Sequence, residues 1–554
     1  MSIHFGAVRF VLVWSILATA LPTPGQSVSA SKGSSGGTRC EQLSRLELPS
    51  TTITGAQSVP QGGFTGPPDP FTRRDLSPFY KSLPDFCRLS AEAKPSHDSQ
   101  IKIEVWMPEA GWNGKMQAIG NGGFAGKMDY FQLGAAMSKG YAATATDTGH
   151  TGSPVDATWA LGHPEKVVDF GHRGIHEMTR VAKAVVEAFY GKPQTHSYFA
   201  GCSDGGREAL MEAQRYPADY DGILAGAPAN NWTALLSMGL SDTQALTIDA
   251  ASFIEQSQIP VISAAVRGAC DELDGVRDGI LNDPRRCRFD PATIQCKVGQ
   301  ATDKCLTSQQ TAALKKIYEG LRESDGHLLY PGFLPGAEDG PGGWGMWITG
   351  PAPRQSLIAQ FAIGYFSNMV YEKPDWDYRT FRVESGIKAA QEKTAAALNA
   401  TDPDLSPFRA RGGKLVLYHG WEDPAIPAMA SIDYYQSVVA KLGQPGTDSF
   451  LRLYMVPGMQ HCADGPGPDS FGQVGKWAAT DAQHSIRLAL EQWVEAGAAP
   501  ATLIAGKYAS DEYSEHETTP TMTRPLCPYP QIARYEDGDP NLAASFTCVQ
   551  PGDK

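Results

Sequence analysis

The stretch Gly201-Cys202-Ser203-Asp204-Gly205-Gly206 constrains the fold more than any other part of this chain. It carries the pattern Gly-x-Ser-x-Gly, in which small residues let the backbone pass through a strained turn from strand to helix and hold the serine hydroxyl at the edge of a sheet. On its own the pentapeptide reads equally well as a loop of small residues. Its flanks decide the matter: "THSYFAG" (195–201) predicts a strand and "GREALMEAQRYP" (206–217) a helix, so Ser203 is a candidate nucleophile.

Short apolar runs at 101–107, 115–120 and 141–146, separated by Gly, Asn and Pro turns, predict strands ahead of that serine. Ile175, Met178, Val181, Ala182, Val185, Val186 and Phe189 recur at helical spacing and predict an amphipathic helix over 172–190. After "YDGILAGAPA" (220–229) the alternation of strand and helix stops. It resumes with a strand at 413–420, a helix near 428–442, a strand at 450–456 and a helix at 484–497. Residues 31–227 and 413–554 are therefore expected to form one catalytic domain, interrupted by an insertion at 228–412. A chain of 554 residues is too long for one simple core, which agrees with an inserted unit. The insertion carries a Pro- and Gly-rich stretch (331–352) and the run "FAIGYFSNMVY" (361–371). We expect it to act as a lid over a pocket, with Trp344, Trp347, Phe366 and Tyr371 as candidate lining residues, although the plainer reading of such rings is core.

Arg9, an apolar run from Phe10 to Leu21 and small residues ending Val28-Ser29-Ala30 have the layout of a secretory signal over residues 1–30. The apolar run is shorter than the roughly 20 residues that span a bilayer, so the expected location is secreted or periplasmic. Loss of that segment takes the formal charge from −13 to −14, which argues against nucleic acid and anionic membranes as partners. Apolar content of 42% and charged content of 19% are those of a soluble globular protein.

Ten cysteines in an exported chain predict disulfides. Neighbour pairing gives Cys40–Cys87, Cys270–Cys287, Cys296–Cys305 and Cys527–Cys548, and leaves Cys202 and Cys462. These two adjoin Ser203 and His461. A disulfide holds its Cα atoms about 4.4 to 6.8 Å apart, so a bond between them would bring Ser203 and His461 within reach and single out one of twelve histidines as the base. The alternative is that Cys202 is a free buried thiol. Sequons at Asn231 and Asn399 permit N-glycosylation.

A serine hydroxyl is a weak nucleophile until a base takes its proton and an acid orients that base. The acid should follow a late strand, where "HGWEDPAIP" (419–427) offers Glu422 or Asp423. The oxyanion of a tetrahedral intermediate needs backbone donors. One is the amide of Asp204, after the nucleophile; the other is sought in "GNGGFAG" (120–126), at Gly122 or Gly123, a cluster that reads otherwise as a tight turn. In "CDELDGVRDGIL" (270–281) the carboxylates of Asp271, Asp274 and Asp278 and the carbonyls of Val276 and Ile280 form a hard oxygen set suited to Ca²⁺. The spacing is not that of an EF-hand, so a solvated acidic turn reads as well.

The segments "GCSDGGREAL", "HGWEDPAIP", "PGMQHC", "GNGGFAG", "DFGHRGIHEMT" and "CDELDGVRDG" together resemble the tannase and feruloyl esterase family, which includes the mono(hydroxyethyl) terephthalate hydrolases. The resemblance implies an α/β class, the α/β-hydrolase fold with a large inserted lid, and a disulfide Cys202–Cys462. It selects Asp423 as the acid, four residues after His419, in the order Ser203, Asp423, His461. It also implies a structural Ca²⁺ in the lid with no organic cofactor. The implied activity is hydrolysis of esters of aromatic acids such as ferulate or gallate, as small molecules or attached to plant polysaccharide or polyphenol. Terephthalate-type members use a lid arginine for the substrate's free carboxylate; just before Phe366-Ser367 this chain has none, and Arg354 and Arg379 lie further off. Plain aromatic esters are the better expectation. A peptidase with the same triad and a non-catalytic carbohydrate-binding module are the rivals.

Overall fold

The strands that flank the serine turn are apolar on both faces, as strands covered by helices on both sides must be. The computed structural model describes residues 38–68, 75–336, 338–473, 481–509 and 519–551, and the expected signal segment at 1–30 lies outside them. From Thr38 onward the chain forms one compact unit built on a nine-stranded sheet. Its strands are β1 (Thr51–Val59), β2 (Phe86–Ala93), β3 (Ile101–Pro108), β4 (Lys115–Ile119), β5 (Ala142–Thr146), β6 (His196–Cys202), β7 (Gly222–Gly226), β8 (Lys414–Gly420) and β9 (Leu451–Val456). Their spatial order is β1-β2-β3-β5-β4-β6-β7-β8-β9. The first three strands and the β3–β5 pair are antiparallel, and from β5 to β9 every pair is parallel.

Alternation along the strands divides the core in two. Phe199, Leu415 and Leu417 point to a cluster with α1 (Gly174–Tyr190), α2 (Asp204–Arg215) and α6 (Met429–Leu442), while Tyr198, Ala200, Val416 and Tyr418 point to one with α7 (Ile486–Ala496). The helix expected over 172–190 is regular from Gly174; Asp169–Arg173 form a π-helical turn before it.

Between β7 and β8 the insertion is more helical than its composition implies. It contains α3 (Trp232–Thr247), α4 (Leu357–Tyr365) and α5 (Val383–Leu398) among other helices. Its apolar core draws in Phe124, Ala425 and Ile426 from loops outside the insertion. All five expected disulfides are formed, so Cys202 is not a free thiol. The two sequons meet: Asn399 Nδ2 donates to Thr233 Oγ1 at 3.0 Å and Asn231 Oδ1 at 3.5 Å, so the Asn399 amide that a glycan would need is already engaged.

Removing the ring of Phe189, which is 1% exposed in the core under α1, is expected to cost about 3–5 kcal/mol. The exposed neighbour Glu187→Ala should stay within about 0.5 kcal/mol of the parent. Urea titration of both variants checks the contrast.

Candidate active site

At the C-terminal end of β6 the backbone makes the turn that the serine motif requires. Ser203 sits at φ 68° and ψ −121°, a strained conformation for a residue with a side chain, and α2 begins at the next residue. The turn closes only because its glycines carry no side chain. A Cβ at Gly201 would lie 2.5 Å from the carbonyl oxygen of Gly205, and one at Gly205 would lie 2.8 Å from that of Asn121. Asp204 is buried behind the turn and pairs with Arg207 at 2.6 Å. Burial pushes the Asp204 carboxyl up to about 6 against the pull of that guanidinium. Arg207 also donates to the carbonyls of Phe170 and Gly171, which ties the "DFGH" π-turn to α2.

Opposite the turn, the loop after β9 presents His461. The disulfide Cys202–Cys462, with its Cα atoms 6.1 Å apart, makes Ser203 and His461 neighbours in space although 260 residues separate the cysteines. His461 Nδ1 donates to Asp423 Oδ2 at 2.8 Å. Asp423 is 2% exposed. Burial by itself would raise its pKa, but the charge and hydrogen bond of His461 and the bond from His419 outweigh that and hold the carboxyl well below the usual range. The backbone N–H groups of Ala425 and Ile426 also donate to Asp423, at 2.8 and 2.9 Å. The ring of His419 is fully buried, accepts from Ser431 at Nδ1, and brings Nε2 to 3.2 Å from Asp423 Oδ2. The spacing of four residues in the sequence gives His419 no role of its own; in the structure it is a direct neighbour of the Asp423 carboxylate. Glu422 turns elsewhere, against Gly336, and burial pushes its carboxyl well above the usual range.

The glycine loop after β4 faces the same turn. Gly122 and Gly123 are half-buried, and among the described residues neither their N–H groups nor that of Asp204 meets a hydrogen-bond acceptor. The carbonyl of Phe124 accepts from His150 Nε2 at 2.7 Å, and the Phe124 N–H donates to Pro154 O at 2.7 Å. Burial against Trp159 and the loop lowers the His150 pKa to about 4, so the ring is neutral.

Of the four aromatic residues expected to line a pocket, Trp347 lies at the site, with its ring centroid 4.8 Å from that of His461. The other three pack elsewhere in the insertion. Trp344 is 2% exposed and stacks into the insertion core against Tyr318. Phe366 is fully buried among Tyr365, Tyr371, Trp376 and Phe381, and Tyr371 packs on Trp376. Their rings hold the insertion together. Two rings that the sequence did not single out pack beside it: Phe361, 6.4 Å from Trp347, and Phe124, 5.2 Å from Phe361.

The acidic loop folds as a turn at Asp271–Asp274, where Asp271 Oδ1 accepts from Gly279 N and Asp274 accepts from Val276 N and Asn282 N. Asp278 pairs with Arg524. Burial, with the neighbouring charges of Asp278 and Asp271, pushes Asp274 up to about 6. Among the described residues no three His, Cys, Asp or Glu side chains are grouped closely enough to hold a metal ion by themselves. The carboxylates nonetheless repel one another, and the donor chemistry, with the carbonyls of Val276 and Ile280, is that of a hard cation.

A largely parallel sheet with a serine on its strand-to-helix elbow, an acid after β8 and a histidine after β9 is the α/β-hydrolase fold. The profile of the tannase and feruloyl esterase family matches residues 87–549. An uncharacterized esterase of Xanthomonas campestris is 40% identical over 92% of this chain and 91% of its own length. A mono(2-hydroxyethyl) terephthalate hydrolase of Piscinibacter sakaiensis is 34% identical over 86% of this chain and 87% of its own. Feruloyl esterase B from Aspergillus oryzae superposes with a TM-score of 0.82 at 29% identity, covering 92% of this chain and 99% of that one. The chain belongs to the tannase and feruloyl esterase family and is a carboxylic ester hydrolase.

Replacing both Cys202 and Cys462 by serine should lower kcat by about 10²-fold, since small misplacements of a catalytic group cost that much, while the four other disulfides keep the chain folded; steady-state kinetics beside circular dichroism read both. Because His150 is held neutral, its contribution to stability is complete above about 6.5 and is lost as pH falls toward about 4. The gap in thermal midpoint between the parent and His150→Gln should therefore narrow across that window.

Proposed function

We propose that this chain hydrolyses esters of aromatic carboxylic acids through an acyl-enzyme formed on Ser203. Ser203 attacks the ester carbonyl as His461 takes its proton. His461 then gives that proton to the leaving alcohol, and water repeats the sequence to release the acid. Asp423 orients the imidazole and stabilises it when charged. The amides of Asp204 and Gly123 hold the oxyanion, with Gly122 as the neighbouring donor. The observation that carries this reading is the bond from His461 Nδ1 to Asp423 beside the bridge Cys202–Cys462. The aromatic class rests on Trp347 and Phe361, half-buried rings facing the histidine and the glycine loop.

The insertion serves in this reading as a lid. A terephthalate monoester is the weaker substrate, because neither Trp347 nor Phe361 can pair with a second carboxylate. The substrate is a small aromatic ester, free or attached to plant polysaccharide or polyphenol. Five disulfides favour an oxidising compartment, outside the cell or in the periplasm. Among the described residues no helix is long and apolar enough to cross a membrane.

A calcium ion is the proposed occupant of the acidic loop, held by Asp271, Asp274, Asp278 and the carbonyls of Val276 and Ile280. It would neutralise the repelling carboxylates and stiffen the insertion, with no part in the chemistry.

Two expectations follow. The parent should turn over methyl ferulate or methyl gallate and leave peptides intact, and Ser203→Ala should abolish the ester turnover; a parent that hydrolyses no aryl ester overturns the reading. Calcium at about a hundred times its dissociation constant should add ~2.7 kcal/mol of stability, seen as a rise in thermal midpoint that EDTA reverses and Asp274→Asn abolishes.

A further inference from the structure

Glu208 lies on α2, five residues after Ser203, and its side chain has no exposure to solvent. A buried carboxyl is costly unless something nearby needs it. One of its oxygens, Oε2, accepts the backbone N–H of Asn121 at 2.8 Å; the other meets no partner among the described residues. Asn121 is the residue immediately before Gly122.

The bond matters because of where β4 ends. The strand pairs with β6 up to Ile119 opposite Ala200, and Gly120 still donates to the carbonyl of Ala200 at 2.9 Å. One residue later the chain has left the ladder, and both backbone groups of Asn121 turn to the nucleophile helix. Its carbonyl accepts from Gly205 N at 2.8 Å, and its N–H, without a strand carbonyl to meet, reaches the Glu208 carboxyl. The side chain of Asn121 adds a third anchor by donating to Thr146 O at 2.9 Å. Contact is close enough that a Cβ at Gly120 would lie 2.9 Å from Gly205 Cα and 3.1 Å from Glu208 Oε2.

We propose that Glu208 is a positioning residue: by accepting the Asn121 N–H it sets the distance between the oxyanion-loop amides at Gly122 and Gly123 and the nucleophile Ser203. The inference rests on the esterase reading above. A buried N–H left without an acceptor would pull the loop toward water, and the donors one and two residues on would move with it. What Glu208 supplies to Asn121 is an acceptor atom. Burial, with Asp204 next, holds its carboxyl well above the ordinary range, while Arg207 beside it is engaged with Asp204. Glutamine offers the same acceptor at the same reach; leucine offers none, and aspartate is one carbon too short.

The test compares kcat per active serine, counted with a fluorophosphonate, in the parent and in Glu208→Gln, Glu208→Leu and Glu208→Asp. Glu208→Gln should remain within about threefold of the parent. Glu208→Leu and Glu208→Asp should lose about 10- to 100-fold in kcat, approaching what removal of an oxyanion donor costs, with KM changed less than about threefold. Folded Leu and Asp variants with parental kcat, or a Gln variant as impaired as Leu, overturn the proposal. Hydrogen–deuterium exchange on the parent gives a readout that needs no variant: the Asn121 amide should exchange slowly, and fast exchange overturns the proposal as well. A parent whose Ser203 neither reacts with the fluorophosphonate nor turns over esters instead defeats the esterase reading, and leaves the exchange result to judge the Asn121 bond.

Discussion

The bond between Cys202 and Cys462 is the constraint on which the site depends. The proposed nucleophile on the elbow after β6 and the proposed base on the loop after β9 are carried by strands with β7 and β8 between them. Sheet geometry alone sets only the rough distance between those loops. The bridge joins the residues next to Ser203 and His461 and leaves their side chains a few atoms from a shared frame. Unusual backbone lies at each place it joins: Ser203, the residue after one cysteine, and Cys462 itself have positive φ, at 68° and 64°. A covalent tie is the kind of restraint that can hold two such residues opposite each other.

Around that tie each reacting group has its own support. Asp423 is gripped by His419, by two backbone amides and by His461, so its charge is stable in a buried place. The glycine loop is held from one side by α2 and from the other by the neutral His150. The contrast with Glu422 is instructive. Adjacent residues of the same chemical type are driven apart by environment, one charged and bonded to an imidazole, the other buried against Gly336 with its carboxyl pushed up.

Much of this was legible in the sequence because the decisive signals were local. Gly201 and Gly205 announce a close turn, and the strand and helix beside them follow from spacing. The pairing of Cys202 with Cys462 emerged once near-neighbour cysteines were set aside. The insertion was not legible in the same way. Helix α3 is buried on nearly all sides, so it shows no polar face to reveal its period. Trp344 and Phe366 were indistinguishable from pocket residues, because composition does not tell which way a ring points. Phe361 shares the apolar stripe of α4 with Ile358, Ala362 and Tyr365, and nothing in that spacing separates a wall residue from a core residue. The partner of Glu208 was beyond reach too, since it is a backbone amide 87 residues away.

The core of the insertion does not stop at its own boundaries: Phe124 from the glycine loop after β4 and Ala425 and Ile426 from the loop after β8 belong to it. Evolution of such an enzyme is therefore poorly served by exchanging the insertion as a cassette, because a foreign one would have to rebuild the floor beneath both of these loops at once. New specificities are more accessible by point replacement at positions 347 and 361, whose half-buried rings pack on the edge of that core.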